Sequence, residues 1–329
     1  MENRAMPPVG LKNLGSTGYL NVVIQMHFHI RAERKAIYSI PTEGNAPRGV
    51  IWALKRLYYS MQTSNSSVST KELTDAFGWD NAILQEPQDA QEFNELYEET
   101  LLNLTSGTAA QEVLRNLTSG SERAYVTPSD HDKGSTRDCK FTTILADCST
   151  SRTLHDCLRE YTRRIKDDLA EGSIPVFRGT LIERFPPVMR FNLRRQTHDF
   201  ARGCVHFYDG PFEYTEEIDL GEHLVPWCDR SEPWTYRLTS VVVYDENEEG
   251  AGAYYAYTRT TKDGPFYKLD DEHAAPVNLH EVLSDNYGGQ SGKTSFATML
   301  GYCRISKLDI CRPSRRTRER LQHQHSSVG

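Results

Sequence analysis

The chain has 329 residues, 38% hydrophobic and 25% charged, which supports a substantial core in one large domain or two small ones and excludes wholesale disorder. Its net charge of −7 argues against a nucleic-acid-binding body and permits a basic ligand segment in an acidic groove. No run reaches the roughly 18 apolar residues of a membrane span, Met1 to Gly10 lack a signal-peptide core, and seven widely spaced cysteines read as free thiols of an intracellular protein, in cytoplasm or nucleus.

Val9 to Asn21 form a Gly-punctuated loop that runs into a helix. Over Tyr19 to Ile30, the residues Tyr19, Val22, Val23, Met26 and Ile30 share one face, with Thr17 or Ser16 as the expected cap. His27 and His29 have no partner at metal-ligand spacing and read as packing residues. A second helical stripe joins Ile51, Leu54, Leu57, Tyr58 and Met61. A short element around Leu73 to Trp79 follows a polar linker. Pro87 then reads as the first-turn proline of a helix over Gln88 to Leu102, with Phe93, Leu96, Tyr97 and Leu101 inward. Asp89, Glu92 and Glu95 suit the positive end of its dipole.

Residues 103–180 carry little apolar pattern, apart from a helix expected over Leu154 to Ile165. Cys139, Cys148 and Cys157 lack the close pairing of a zinc module, so no metal centre is expected. From Pro186 the pattern turns to strands: Val188 to Arg194, Tyr236 to Tyr244, Ala253 to Arg259, Phe266 to Leu269 and Thr298 to Arg304, with a turn at Lys262-Asp263-Gly264. Helices first and an antiparallel sheet later give the α+β class. Arg312, Arg315, Arg316, Arg318 and Arg320 mark a basic tail that reads as disordered and solvated, with a nuclear-localisation signal or weak nucleic-acid contact as the alternative.

Three separated segments carry the chemistry. They are the Gly loop at 10–21, Gln88-Asp89-Ala90-Gln91-Glu92-Phe93, and Gly252-Ala253-Tyr254-Tyr255-Ala256-Tyr257 followed by Tyr267-Lys268-Leu269-Asp270-Asp271. In this order they resemble the ubiquitin-specific proteases, papain-like deubiquitinases of peptidase class C19. Gly10, Leu11, Asn13, Gly15, Thr17, Tyr19 and Asn21 match the family's first box, and Gly18 stands where the family has its cysteine. Ala253 stands where the third box has its histidine, and the box's acidic partner falls on Asp270. Tyr38 to Gly44, Phe77-Gly78-Trp79 and Asn286-Tyr287-Gly288-Gly289 look most like the branch of the herpesvirus-associated ubiquitin-specific protease.

The resemblance implies a papain-like fold with a helical thumb (about 9–105), reduced fingers and a β-rich palm (about 106–308), flanked by an arm at 1–8 and the tail at 309–329. It implies that Asn13 holds the oxyanion position and Asp270 the histidine-orienting one, while Asp89, Glu92 and Tyr254 contact the arginine-bearing ubiquitin tail. Asp270 also admits a plain reading, as a strand-end cap or an arginine partner. Glycine cannot attack a carbonyl carbon and alanine cannot carry a proton. Losing one such group costs about 10⁶-fold in turnover, on the order of 8 kcal/mol of barrier. The expectation is a pseudo-deubiquitinase that needs no cofactor and binds ubiquitin, a ubiquitinated protein or another protein partner. The competing readings are a structural subunit indifferent to ubiquitin and an active hydrolase with a relocated thiol, Cys204 or Cys303.

Overall fold

A computed structural model of the chain describes residues 7–41, 49–128, 134–167, 176–199, 204–208, 210–246, 252–289 and 294–311. The arginine-rich tail, the end of the Tyr38 to Gly44 motif and the acidic loop beyond Glu246 lie outside the described residues. The helical part comprises β1 (Leu11–Lys12), α1 (Gly18–Phe28), α2 (Arg31–Ser39), α3 (Val50–Thr63), β2 (Val68–Ser69), α4 (Lys71–Ala76), α5 (Asn81–Gln85), α6 (Ala90–Leu104) and α7 (Ala109–Thr118). Next come β3 (Gly120–Thr127), β4 (Ser135–Phe141), β5 (Thr143–Asp147), α8 (Leu154–Tyr161), β6 (Ile165–Asp167), β7 (Val176–Arg184), β8 (Val188–Arg194), β9 (Gln196–Asp199), β10 (Cys204–Phe207) and β11 (Glu217–Asp219). The chain closes with β12 (Thr235–Glu246), β13 (Gly252–Arg259), β14 (Phe266–Asp270), β15 (His273–Val277), α9 (Leu279–Leu283), β16 (Ser295–Arg304) and α10 (Leu308–Cys311).

The main sheet runs β15-β14-β13-β12-β16-β8-β5, with β11 paired to β12. It is antiparallel except for the β5–β8 pair. A second sheet runs β4-β3-β7-β6. The fold is therefore α+β, with helices packed on a large sheet. Among the described residues, no helix is long and apolar enough to cross a membrane.

Helix α1 is more central than a one-sided stripe suggests. Every residue from Tyr19 to Phe28 is buried, including Asn21, Gln25 and His27. The helix joins the core that holds Val242 and Ala256 of the sheet and Phe93 and Tyr97 of α6. Its inward amide donors are bonded, as burial favours: Gln25 Nε2 donates to the Val9 carbonyl at 2.7 Å. His27 lies within the core, with Nε2 2.8 Å from Asn94 Oδ1 and Nδ1 against Glu33. The packing reading of His27 agrees with this placement.

Four local expectations change. Thr17 occupies the N-cap position of α1 without capping it; its hydroxyl accepts from Leu14 N at 2.9 Å. Helix α6 begins at Ala90, not at Gln88, because the Asp89 carboxylate accepts from Gln91 N at 2.6 Å and caps it; Pro87 stays outside. Leu96 is 43% exposed and leaves the buried stripe of α6. Helix α8 stops at Tyr161, and Ile165 enters β6 because strand pairing with β7 captures it.

Residues 103–180 are ordered where described. Strands β3 and β4 have few fully buried positions, so no in–out alternation marks them in the sequence. Their order comes from pairing and from Arg123, which bridges Asp138 at 2.8 Å and Glu183 at 3.0 Å.

Candidate functional site

The loop before α1 is built around one side chain. Asn13 Oδ1 accepts from the backbone N–H of Gly15 and of Thr17, both at 3.0 Å, and from the Thr17 hydroxyl at 3.3 Å. Its Nδ2 donates to Asp271 Oδ2 at 2.8 Å. Asn21 Nδ2 donates to the other oxygen, Asp271 Oδ1, at 2.7 Å. Asp271 thus clamps the loop and the first turn of α1 to the end of β14. It does so at φ +47°, the left-handed region that aspartate tolerates better than most residues.

Two glycines of this loop are required by shape. A Cβ on Gly10 would lie 2.2 Å from the Glu272 carbonyl oxygen, and Gly15 has φ +136°. Gly18 is different. Its φ is ordinary, and a Cβ there would meet only the Tyr254 backbone at 3.6–3.7 Å and Asp271 Oδ1 at 3.9 Å. Nothing in the backbone calls for glycine at this helix start. Gly18→Ala is expected to stabilise the fold by up to about 0.5–1 kcal/mol, through lower unfolded-state entropy. Chemical denaturation checks this, and a loss of stability would show a hidden constraint on the loop.

Gly18 faces a groove of about 410 Å³. Asn13, Asp89, Ala253 and Tyr254 of the expected site residues line it, joined by Asp271 and Tyr244. Ala253 is exposed on β13. The Asp89 and Tyr254 side chains come together because α6 is tied to the sheet: Gln91 Nε2 donates to the Leu193 and Thr298 carbonyls at 3.1 and 2.9 Å. Tyr244 and Tyr254 are cross-strand partners with rings 5.1 Å apart. Burial, then the Asp89 charge, holds the Tyr254 phenol neutral. Burial, Glu246 and Asp89 raise the pKa of Tyr244 in the same way.

Glu92 and Asp270 do not line the groove. Glu92 is exposed one turn along α6, where it joins an acidic face. Burial raises the Glu95 pKa first, and then Glu98, Glu92 and Asp89 add to it. Asp270 follows Leu269, which pairs with Ala256, so the next step of the register brings Asp270 to the face carrying Tyr255 and Ala253. There its carboxylate sits 3.6 Å from Lys268 Nζ, and that ammonium rests 3.9 Å over the Tyr255 ring. The sequence motif contains Asp271 but places the acidic role on its neighbour Asp270; only the turn at φ +47° separates their directions.

The groove contains no nucleophile paired with a base among the described residues. Ser16 Oγ donates to the Gln85 carbonyl at 2.9 Å. The carboxylates of Asp89 and Asp271 are engaged with backbone and amide donors. Cys303 is fully buried and pairs with Arg237; the strand from there to Tyr244 spans about 23 Å at about 3.3 Å per residue. Burial pushes the thiols of Cys148 and Cys157 up to about 12 and about 11. The side chain of Cys204 lies outside the described residues.

The sequence pattern of the family described as ubiquitin carboxyl-terminal hydrolase matches residues 9–302. The chain is 33% identical to ubiquitin carboxyl-terminal hydrolase 5 of Schizosaccharomyces pombe, over 92% of this chain and 29% of that protein. It is 35% identical to ubiquitin C-terminal hydrolase 12 of Arabidopsis thaliana, over 86% of this chain and 26% of that protein. With ubiquitin carboxyl-terminal hydrolase 7 of Drosophila melanogaster it shares 28%, over 92% of this chain and 28% of that protein. The chain thus spans less than a third of the length of these relatives. The family pattern runs from the Asn13 loop through the last strands of the main sheet, and the chain belongs to the ubiquitin carboxyl-terminal hydrolase family, with the α+β, papain-like fold of the ubiquitin-specific proteases.

Proposed function

We propose that this chain is a non-catalytic member of its family, a pseudo-deubiquitinase that binds ubiquitin or a ubiquitinated partner without cutting it. The carrying observation is the pairing of Gly18 and Ala253 on one groove, at the positions equivalent to nucleophile and base. The space at Gly18 makes the loss of its side chain a chemical change and not a folding necessity. Asn13 keeps the oxyanion position but spends its carbonyl on the loop and one amide proton on Asp271. Asp270 keeps the histidine-orienting position, with Lys268 as its counter-charge.

Binding is the function this groove can still perform. Asp89 lines it and Glu92 stands one turn beyond, so a cationic peptide segment would be attracted to this end of α6. The short motifs Phe77-Gly78-Trp79 and Asn286 to Gly289 support a place near the herpesvirus-associated branch. An intracellular site of action, in cytoplasm or nucleus, belongs to the same reading. A relocated thiol finds no support in the burial of Cys303.

The test is calorimetric titration with monoubiquitin. The wild type is expected to bind, and Asp89→Ala with Glu92→Ala to weaken binding at least about tenfold, about 1.4 kcal/mol. Absence of wild-type binding would overturn the ubiquitin reading and leave the structural-subunit one. Turnover of a ubiquitin-amide fluorogenic substrate above a tag-only control would overturn inactivity.

A further inference from the structure

A second cluster of chemistry-bearing side chains lies outside the groove. His155 stands in the first turn of α8, and Glu222 and His223 occupy the short turn at Gly221–His223 that follows β11. His155 Nδ1 lies 2.9 Å from His223 Nε2 and 2.9 Å from Glu222 Oε1, and His223 Nε2 lies 3.2 Å from that same oxygen. Three ligand atoms from two segments distant in sequence therefore converge on one point.

We propose that His155, His223 and Glu222 form a binding site for a divalent transition-metal ion, with zinc as the best-fitting ion. A tetrahedral zinc with bonds of about 2.0–2.1 Å to nitrogen and oxygen sets its ligand atoms about 3.3 Å apart. The observed edges fall short of this by a few tenths of an ångström, within a small rotation of the side chains. Two imidazoles and a carboxylate, with a fourth position open to water, are a zinc donor set.

Protons satisfy this triangle poorly. A neutral imidazole carries one N–H, so two neutral rings can place at most two protons here, and the two nitrogens face each other at 2.9 Å. Charging both rings would set two cations in contact. A cation at the centre uses all three lone pairs at once.

Burial supports the ligand form. The His223 side chain is only 3% exposed. A ring so enclosed has its Nε2 fixed toward His155 and Glu222, which presets the direction of its lone pair. The charged groups around the cluster are Arg159, whose Nη2 lies 3.4 Å from Glu222 Oε1 and whose Nη1 lies 3.3 Å from Asp156, Arg230, whose Nη2 donates to the Gly221 carbonyl at 3.3 Å, and Asp219, whose Oδ1 accepts from Gly221 N at 2.9 Å. Arg159 is 62% exposed and free to swing off Glu222 when an ion enters. A bound ion would strap α8 to the turn that precedes β12. A sequence search for cysteine pairs passes this site over, because its ligands are histidines 68 residues apart.

The test is calorimetric titration of the full chain with zinc. His323 and His325 are both replaced by alanine in every sample, so that the tail histidines do not contribute. One equivalent is expected to bind, and His155→Phe and Glu222→Gln each to weaken it at least tenfold. Phenylalanine keeps a ring at position 155, and glutamine keeps the shape at 222, so each variant preserves the packing. Cobalt in place of zinc is expected to give the visible bands of a tetrahedral ion in the parent and to lose them in both variants. Absence of zinc binding by the parent, or zinc binding equal in parent and variants, would overturn the proposal.

Discussion

The double variant Gly18→Cys with Ala253→His is expected to react covalently with a ubiquitin vinyl-sulfone probe, whereas the wild type does not. Both side chains have room. A Cβ at position 18 meets nothing closer than 3.6 Å, and Ala253 is exposed beside it on β13. A cysteine at the start of α1 would sit at the positive end of the helix, which lowers a thiol pKa. A histidine at position 253 would share its sheet face with Asp270, whose carboxylate is now partnered by Lys268. General acid–base help is worth about 10²–10⁴-fold, so the double variant should exceed Gly18→Cys alone by that factor on a ubiquitin-amide substrate. Equal rates for the two would show that Asp270 and the sheet no longer present a histidine correctly. No probe reaction in a variant that still binds ubiquitin would show that the loop itself has drifted.

Replacing Arg190 is expected to be the most damaging single change to stability. Its guanidinium is buried between Glu98 at 2.8 Å and Glu33 at 3.2 Å, and its Nη2 lies 3.2 Å from His27 Nδ1. The network joins α1, α2, α6 and β8, so it fixes the helices that carry Gly18 and Asp89 onto the sheet that carries Ala253. Arg190→Ala removes the guanidinium that bonds the carboxylate of Glu33, 2% exposed, and that of Glu98. A loss of about 3–5 kcal/mol is expected, the cost of breaking a buried pair from one side, and urea unfolding measures it. Arg190→Met combined with Glu33→Gln should lose less than Arg190→Ala, because no charge is then stranded.

The same network sets a pH dependence. Burial alone would raise the Glu33 pKa, but the charges and hydrogen bonds of His27 and Arg190 outweigh it and hold it below the ordinary 4.5. A carboxylate depressed in the fold stabilises it above its unfolded value and loses that contribution as pH falls through the folded one. The wild type is therefore expected to lose stability as pH drops below about 4.5. The Glu33→Gln variant should show a shallower acid limb in the same titration.

Strand β8 shows how much of this was legible. Its bounds, Val188 to Arg194, follow from the alternation of Met189, Phe191 and Leu193 with Val188, Arg190 and Asn192 after Pro187. The burial of Arg190 and Asn192 on its second face does not follow, because a polar residue in a strand reads as solvent-facing until a helix is placed over it. Strands β3 and β4 were illegible for the opposite reason: with few buried positions, they carry no period to read.

At the groove, the sequence by itself determined the composition of the site. The order of the Asn13 loop, the Asp89 segment and the Ala253 segment identifies the family, and the residues at positions 18 and 253 are read directly from the chain. Only the tertiary structure decided the geometry. It placed Asp271 against Asn13 and Asn21, set Asp270 beside Lys268, left Glu92 off the groove, and gathered His155, Glu222 and His223. The physical reason is the same in each case. Residue identity along the chain fixes which chemistry is possible. Distances of a few ångströms between residues tens to hundreds of positions apart are set by the packing of strands and helices that no local pattern encodes.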